Sequence, residues 1–151
     1  MAAFDFAKVK DPTFFKENVL NAHAGFRTYA SREEYRTGES SLALKLDGIW
    51  KFAYAKNYTS AIPGFEKTDY DCSGWDDIHV PAHIQMEGYD APQYANVQYP
   101  WEGREEIQPG EIPEWFNPMA SYVKYFAVPD QLKGKRLFDS FQGAGSGIAV
   151  W

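Results

Sequence analysis

Residues 47–55 read Asp47-Gly48-Ile49-Trp50-Lys51-Phe52-Ala53-Tyr54-Ala55. Trp50, Phe52 and Tyr54 alternate with Lys51, Ala53 and Ala55. A repeat of two puts the large rings on one face of an extended strand and the lysine and small residues on the other. Asp47-Gly48, directly before it, is a turn pair. Rings suit a pleated, half-buried surface. The stretch predicts a strand with an inward aromatic face, in an all-β domain.

Downstream, Asp77-Ile78-His79-Val80 predicts a short strand closed by Pro81. From Pro81 to Pro118 the chain is rich in Pro, Gly, Tyr and Gln and has no period. An ordered connection of that length is usually functional. Tyr122, Lys124 and Phe126 then alternate with Val123, Tyr125 and Ala127, up to Pro129. Leu137 to Phe141 predicts another strand after a turn at Gly134, and Ile148 to Trp151 begins a further one. Gly143-Ala144-Gly145-Ser146-Gly147 lies between strand-like runs rather than before a helix, so it reads as a turn or bulge and not as a phosphate cradle. Upstream, residues 1–40 read as a polar, irregular arm. Asp11-Pro12-Thr13-Phe14-Phe15-Lys16-Glu17-Asn18 suits a helical turn. Ser31-Arg32-Glu33-Glu34 has the capping-box pattern and predicts a short helix stopping near Gly38. The organisation expected is an arm over 1–40 and a domain over 41–151.

Aromatic residues number 11 Phe, 10 Tyr and 5 Trp in 151. They suit a β-rich core, and they also suit sugar rings, whose CH faces stack on aromatic planes. The net charge of −6 argues against nucleic acid, which needs clustered Lys and Arg. It leaves a neutral sugar open. Cys72 is the one cysteine, so an internal disulfide is impossible, which fits a reducing compartment. Met1 to Lys8 lacks the basic patch and apolar run of a secretion signal, and no apolar stretch is long enough to span a membrane. The expected location is cytoplasmic.

Few residues suggest chemistry of their own. His79 and His83 have the spacing of a helical metal pair, but Pro81 between them breaks a helix. No second cysteine or carboxylate cluster completes a metal set. They read as loop or core histidines, and no metal site is expected. Glu102, Glu105, Glu106, Glu111 and Glu114 are candidates for the two carboxylates of a glycosidase. They lie among prolines with nothing fixing a pair, so they read as an acidic loop and no catalytic residue is assigned. The run from Val80 to Gly103 mixes amides, which hydrogen-bond hydroxyls in both directions, with rings that cover sugar faces.

Within that run, Pro81 to Pro100 has the pattern Pro-x-His-x-Gln-Met-x-Gly-Tyr-Asp-x-Pro-x-Tyr-x-Asn-Val-x-Tyr-Pro. It resembles the signature of the N-terminal sugar-binding domain of family 2 glycoside hydrolases of the β-galactosidase type. Ala22-His23-Ala24-x-Phe26-Arg27-x-Tyr29 and Leu46-Asp47-Gly48-x-Trp50-Lys51-Phe52 upstream are similar to family segments. So are Pro113, Asn117-Pro118, Ser121-Tyr122-Val123 and Phe141-x-Gly143 downstream. The resemblance runs from about residue 14 to the end. It implies a jelly-roll β-sandwich, galactose-binding-domain-like, incomplete at its C-terminal end. It implies a parent enzyme, an oligomer when full length, that hydrolyses terminal β-D-galactosides such as lactose with retention. The two catalytic Glu belong to a later barrel, so this segment is expected to be inactive alone. Mg and Na are expected only in the full-length enzyme. The resemblance gives Asn96 the contact to the galactosyl group. Tyr89, Tyr94, Tyr99 and Trp101 are expected to shape its loop or touch the sugar.

Two positions depart from the family pattern. Asp139 stands where an apolar residue is usual, between Leu137 and Phe141 on one strand face. A carboxylate facing a core unpaired costs on the order of several kcal/mol. Gly145 stands where a polar or acidic side chain is frequent. With the ending inside a strand-like run, they lead to the expectation of a truncated piece whose partner is the rest of the polypeptide. A stand-alone carbohydrate-binding module and a complementing interaction fragment are the alternatives.

Overall fold

The computed structural model describes residues 5–93, 96–145 and 147–151. Tyr94, and Ser146 of the glycine-rich run, lie outside them. Among the described residues the regular structure is one antiparallel sheet of three strands, one short helix and three 3₁₀ turns. The strands are β1 (Gly48–Ala55), β2 (Asp76–Val80) and β3 (Met119–Val123), in the order β2-β1-β3. This is an all-β arrangement, as the alternation in 47–55 implies.

β1 is central because its sequence can be covered on both edges. On one side Trp50 lies opposite Ile78 and Phe52 opposite Asp76. On the other, Phe52 lies opposite Tyr122 and Tyr54 opposite Ala120. Trp50, Phe52, Tyr54, Ile78 and Tyr122 therefore share one face. Phe52 is 1% exposed and Ile78 2%. The Phe52 and Tyr122 rings meet edge-on at 4.9 Å, and Trp50 meets Tyr122 at 6.4 Å. Burying one such side chain stabilises by about 1.5–3 kcal/mol, and each ring pair adds about 0.5–1.5 kcal/mol. On the opposite face Lys51 pairs directly with Asp77 at 2.9 Å, and its ammonium also donates to the Trp75 carbonyl at 3.3 Å. An ion pair this open is worth at most about 1 kcal/mol, so the ring face holds the sheet.

The chain divides into two compact units. The sheet belongs to the first, which comprises the residues up to Phe15, Asp47–Lys124 and Trp151. Beside the sheet, this unit contains the buried Cys72 and a ring cluster in which Trp75 meets Phe65 and Tyr70, each at 5.7 Å. The helical turn expected over 11–18 is corrected: no helix forms there, and only a tight turn at Asp11 is present, in which Asp11 Oδ1 accepts from the Thr13 amide and hydroxyl and the Phe14 N–H donates to the Asp11 carbonyl; the 3₁₀ turn lies just before it, at Phe6–Lys10.

The second unit comprises Lys16–Leu46 and Tyr125–Val150. It holds the predicted helix, α1 (Arg32–Thr37). Ser31 Oγ accepts from the Glu34 N–H at 3.1 Å, and Glu34 reaches back to the Ala30 N–H at 2.8 Å. Gly38 closes the helix in the left-handed region at φ 77, where a side chain would be strained. The Ser41 hydroxyl and the Ala30 N–H hold the Glu34 carboxyl below its ordinary value, against a small opposing effect of desolvation.

Three strand expectations are corrected. The alternation predicts strand character over Tyr122–Ala127, but β3 begins earlier, at Met119, and ends at Val123; the next residue, Lys124, donates its ammonium to the Ile49 carbonyl at 2.7 Å. Tyr125 and Phe126 are exposed. Leu137–Phe141 and Ile148–Trp151 form no strands. Alternation alone does not make a strand. It needs a ladder partner, and β1 already has one on each edge. Asp139 is accordingly exposed, so the cost expected for a carboxylate facing a core does not arise.

Two outcomes follow. Phe52→Ala removes the ring at the centre of the sheet and costs about 3–5 kcal/mol; an aromatic near-ultraviolet circular dichroism signal as strong as in the unchanged chain would contradict this. For α1 the folded Glu34 pKa is depressed, so its contribution is complete above the ordinary glutamate value and is lost as pH falls through the depressed one. The Arg32–Thr37 amide signals should therefore lose their helical shifts below that value, and Glu34→Gln should flatten this pH dependence.

Candidate functional site

The connection from β2 to β3 has its own framework. It opens at the cis Val80–Pro81 bond. A first tight turn follows, in which the Met86 N–H donates to His83 and the Glu87 and Tyr89 N–H groups to Ile84. Gly88 (φ 91) and Asp90 (φ 61) both lie in the left-handed region, and between them Tyr89 is turned back onto the sheet. Its ring lies 4.5 Å from Phe52 and 6.4 Å from Tyr54. Its hydroxyl donates to Asp76 Oδ2 at 2.9 Å. Burial pushes the Tyr89 pKa up, and the hydrogen bond and charge of Asp76 and the charge of Glu87 add to this. Tyr54 is raised by burial and then by the charge and hydrogen bond of Asp90. The Tyr89 hydroxyl thus ties the first turn to β2 through Asp76.

A second turn runs from Tyr99 to Glu105. The Glu102 N–H donates to Tyr99, and the Arg104 and Glu105 N–H groups to Trp101. The Trp101 indole N–H donates to the Phe116 carbonyl at 2.9 Å, and the next residue, Asn117, donates its N–H to Lys56 at 2.8 Å. This ties the far end of the connection to the residue after β1.

Three of the Glu side chains in this stretch, Glu102, Glu105 and Glu111, accept from backbone N–H groups. Glu105 accepts the Glu114 N–H at 2.7 Å and the Trp115 N–H at 3.2 Å. Glu102 accepts from Tyr99 and Glu111 from Gln108. Glu114 Oε1 accepts the Tyr58 hydroxyl at 3.2 Å. Burial, then Glu114, raises the Tyr58 pKa. These contacts match an acidic loop rather than a pair flanking a scissile bond.

Asn57 was not foreseen. It is 6% exposed and donates its amide to the Glu114 carbonyl at 2.7 Å. Its Oδ1 accepts from the Ser60 amide and hydroxyl and from Thr59. The legible signal was Asn at the end of a strand, three residues before Ser, which suits a turn cap. Its long-range bond to Glu114 had none.

The named site residues therefore lie in different settings. Tyr89 has its ring on Phe52 and its hydroxyl on Asp76. Trp101 is half-buried with its N–H engaged. Tyr99 is 82% exposed. Asn96 is exposed, in the span between the two turns. An exposed amide and an exposed ring, close in sequence, can offer hydrogen bonds in both directions and a stacking face to a polyol. His79 is exposed on β2 opposite Ile49, and His83 opens the first turn. Among the described residues no group of three or more His, Cys, Asp or Glu side chains is placed to hold a metal ion. No helix among them is long and apolar enough to cross a membrane.

Comparison with known proteins places this framework. Residues 43–151 match the family described as glycosyl hydrolases family 2, sugar binding domain. A β-galactosidase of Streptococcus thermophilus is 41% identical over 143 residues, and one of Halalkalibacterium halodurans 43% over 144. Each alignment covers 95% of this chain and 14% of the relative. A β-galactosidase large subunit of Leuconostoc lactis is 35% identical, over 93% of this chain and 24% of the relative. The chain thus spans about 14% of the length of the first two relatives. With the family match running unbroken from ahead of β1 to Trp151, the chain belongs to the glycosyl hydrolases of family 2, as their sugar binding domain.

Proposed function

We propose that this chain is the N-terminal sugar-binding portion of a β-galactosidase-type enzyme acting on terminal β-D-galactosides such as lactose. The observation that carries this reading is the family match over residues 43–151, together with relatives named β-galactosidase of which the chain covers about 14%. The domain spans 41–151 behind an arm of 1–40, and it is part of a jelly-roll sandwich to which the three strands contribute. Asn96 supplies one contact to the galactosyl group. Tyr99, three residues on in the sequence, is exposed. Tyr94 belongs to the same motif. Catalytic carboxylates, Mg and Na belong to other parts of the enzyme. The enzyme is cytoplasmic and a homo-oligomer.

The physical support lies in how the loop is occupied. The Glu side chains at 102, 105, 111 and 114 tie down backbone or phenol donors. A glycosidase needs two carboxylates facing one bond across a gap, whereas these four side chains are engaged with donors of the chain itself.

Two outcomes test the reading. The 151-residue chain alone is expected to give no turnover of a chromogenic β-galactoside, and clear turnover would overturn the division of labour. In the complete polypeptide carrying these residues, Asn96→Ala is expected to lower kcat/KM for the same substrate about threefold to thirtyfold, the range of one or two hydrogen bonds. Unchanged kcat/KM would remove Asn96 from the sugar site.

A further inference from the structure

We infer that Trp115 is a second sugar contact, a fixed platform on which the CH face of a pyranose ring stacks, beyond the second turn of the connection. The inference rests on the proposed reading for the class of ligand; the platform itself is built from contacts within the first compact unit.

The contrast between the ring and its backbone carries it. The indole of Trp115 is 60% exposed. Its N–H reaches both oxygens of Glu105, at 3.2 and 3.4 Å, and its carbonyl accepts from the amide of the buried Asn57 at 3.4 Å. Before it, Glu114 donates its N–H to Glu105 at 2.7 Å and accepts the Asn57 amide at its carbonyl, also at 2.7 Å. After it, the Phe116 carbonyl accepts the Trp101 indole at 2.9 Å, and the Asn117 N–H donates to Lys56 at 2.8 Å. Residues 114–117 are thus tied in succession to Glu105, Asn57, Trp101 and Lys56. A large ring on a backbone held in this way loses little freedom when a ligand covers it. Tyr99, another exposed ring of the connection, is held by Glu102 of its own turn.

The surroundings choose the ligand. The Phe116 ring lies 6.1 Å from the indole and is inclined at 51°, so it does not stack parallel to it. The side chains fixed to this segment include the carboxylates of Glu105 and Glu114, which accept hydrogen bonds and disfavour an anion. A neutral ring with CH groups for the indole and hydroxyl donors around its edge fits both features.

The test follows the Trp115 indole N–H by nuclear magnetic resonance in the 151-residue chain. Galactose and lactose are expected to shift it. Sorbitol, which carries its hydroxyls on an open chain without a flat CH face, is expected to leave it in place. Trp115→Ala retains the N–H and carbonyl of the residue and is expected to weaken galactose binding, read by saturation transfer to the sugar protons, about twofold to tenfold. Trp115→Tyr should recover part of that loss. An indole signal that ignores both sugars, or that answers sorbitol equally, overturns the platform; this readout uses the unchanged chain and decides even where a variant fails to fold. If the Asn96 side-chain signal answers galactose and Trp115 does not, the platform fails and the sugar reading stands. If Trp115 answers and Asn96 does not, the platform is supported and the contact assigned to Asn96 fails.

Discussion

The Phe52 ring is the contact on which both ladders and the loop converge. It lies opposite Asp76 in one register and Tyr122 in the other. It meets Tyr122 from β3 and Tyr89 from the connection, both rings inclined to it. A slip of one residue in either strand pairing would turn Phe52 to the other face. It would also separate Asp76 from the Tyr89 hydroxyl. Register, strand order and loop seat are thus one constraint. The energies agree: a buried ring with two ring partners is worth several times an open ion pair such as Lys51–Asp77.

What could be read from residues alone follows the range of the interactions. β1 was legible because alternation is a property of neighbours, and so was α1, whose cap is contained between Ala30 and Gly38. β2 was legible with its end at Pro81. β3 was legible as a strand but displaced, because its bounds follow its pairing with Lys51–Ala55 of β1, far away in sequence. Leu137–Phe141 has the composition of a strand, yet a strand is a pairing, and no local pattern supplies the partner. Asp139 was misjudged for the same reason: its cost was argued from a strand face that does not form.

The site divides in the same way. The amides and rings of the Pro81–Pro100 run were legible as residue types suited to a polyol, and the family pattern singled out Asn96. The supports were not. Asn57 to Glu114, Glu105 to Glu114 and Trp101 to Phe116 are contacts between turns. The carboxylates are instructive. A cluster of five Glu among prolines suggests either acid chemistry or a solvated surface, but here four of them hold backbone N–H or phenol donors. Such bonds compensate a connection that lacks regular structure, since donors outside a helix or sheet still need acceptors.

A single loop amide also sets a limit on what this domain does by itself. One hydrogen-bonding side chain contributes about 0.5–1.5 kcal/mol net, and up to about 1.5 kcal/mol more where an exposed ring such as Tyr99 stacks on the sugar. Millimolar affinity requires about 4 kcal/mol beyond the cost of association. Asn96 and Tyr99 fall short of that together. Under the proposed reading, then, the value of the loop lies in where it holds Asn96 rather than in how tightly it binds. A contact that is weak alone becomes useful when a sugar already held by other groups meets it without further ordering. That places the weight on the anchors. Tyr89 on Phe52 and the Trp101 N–H on the Phe116 carbonyl fix the turns before and after Asn96, so part of the aromatic content that suits sugar stacking serves to hold the connection itself.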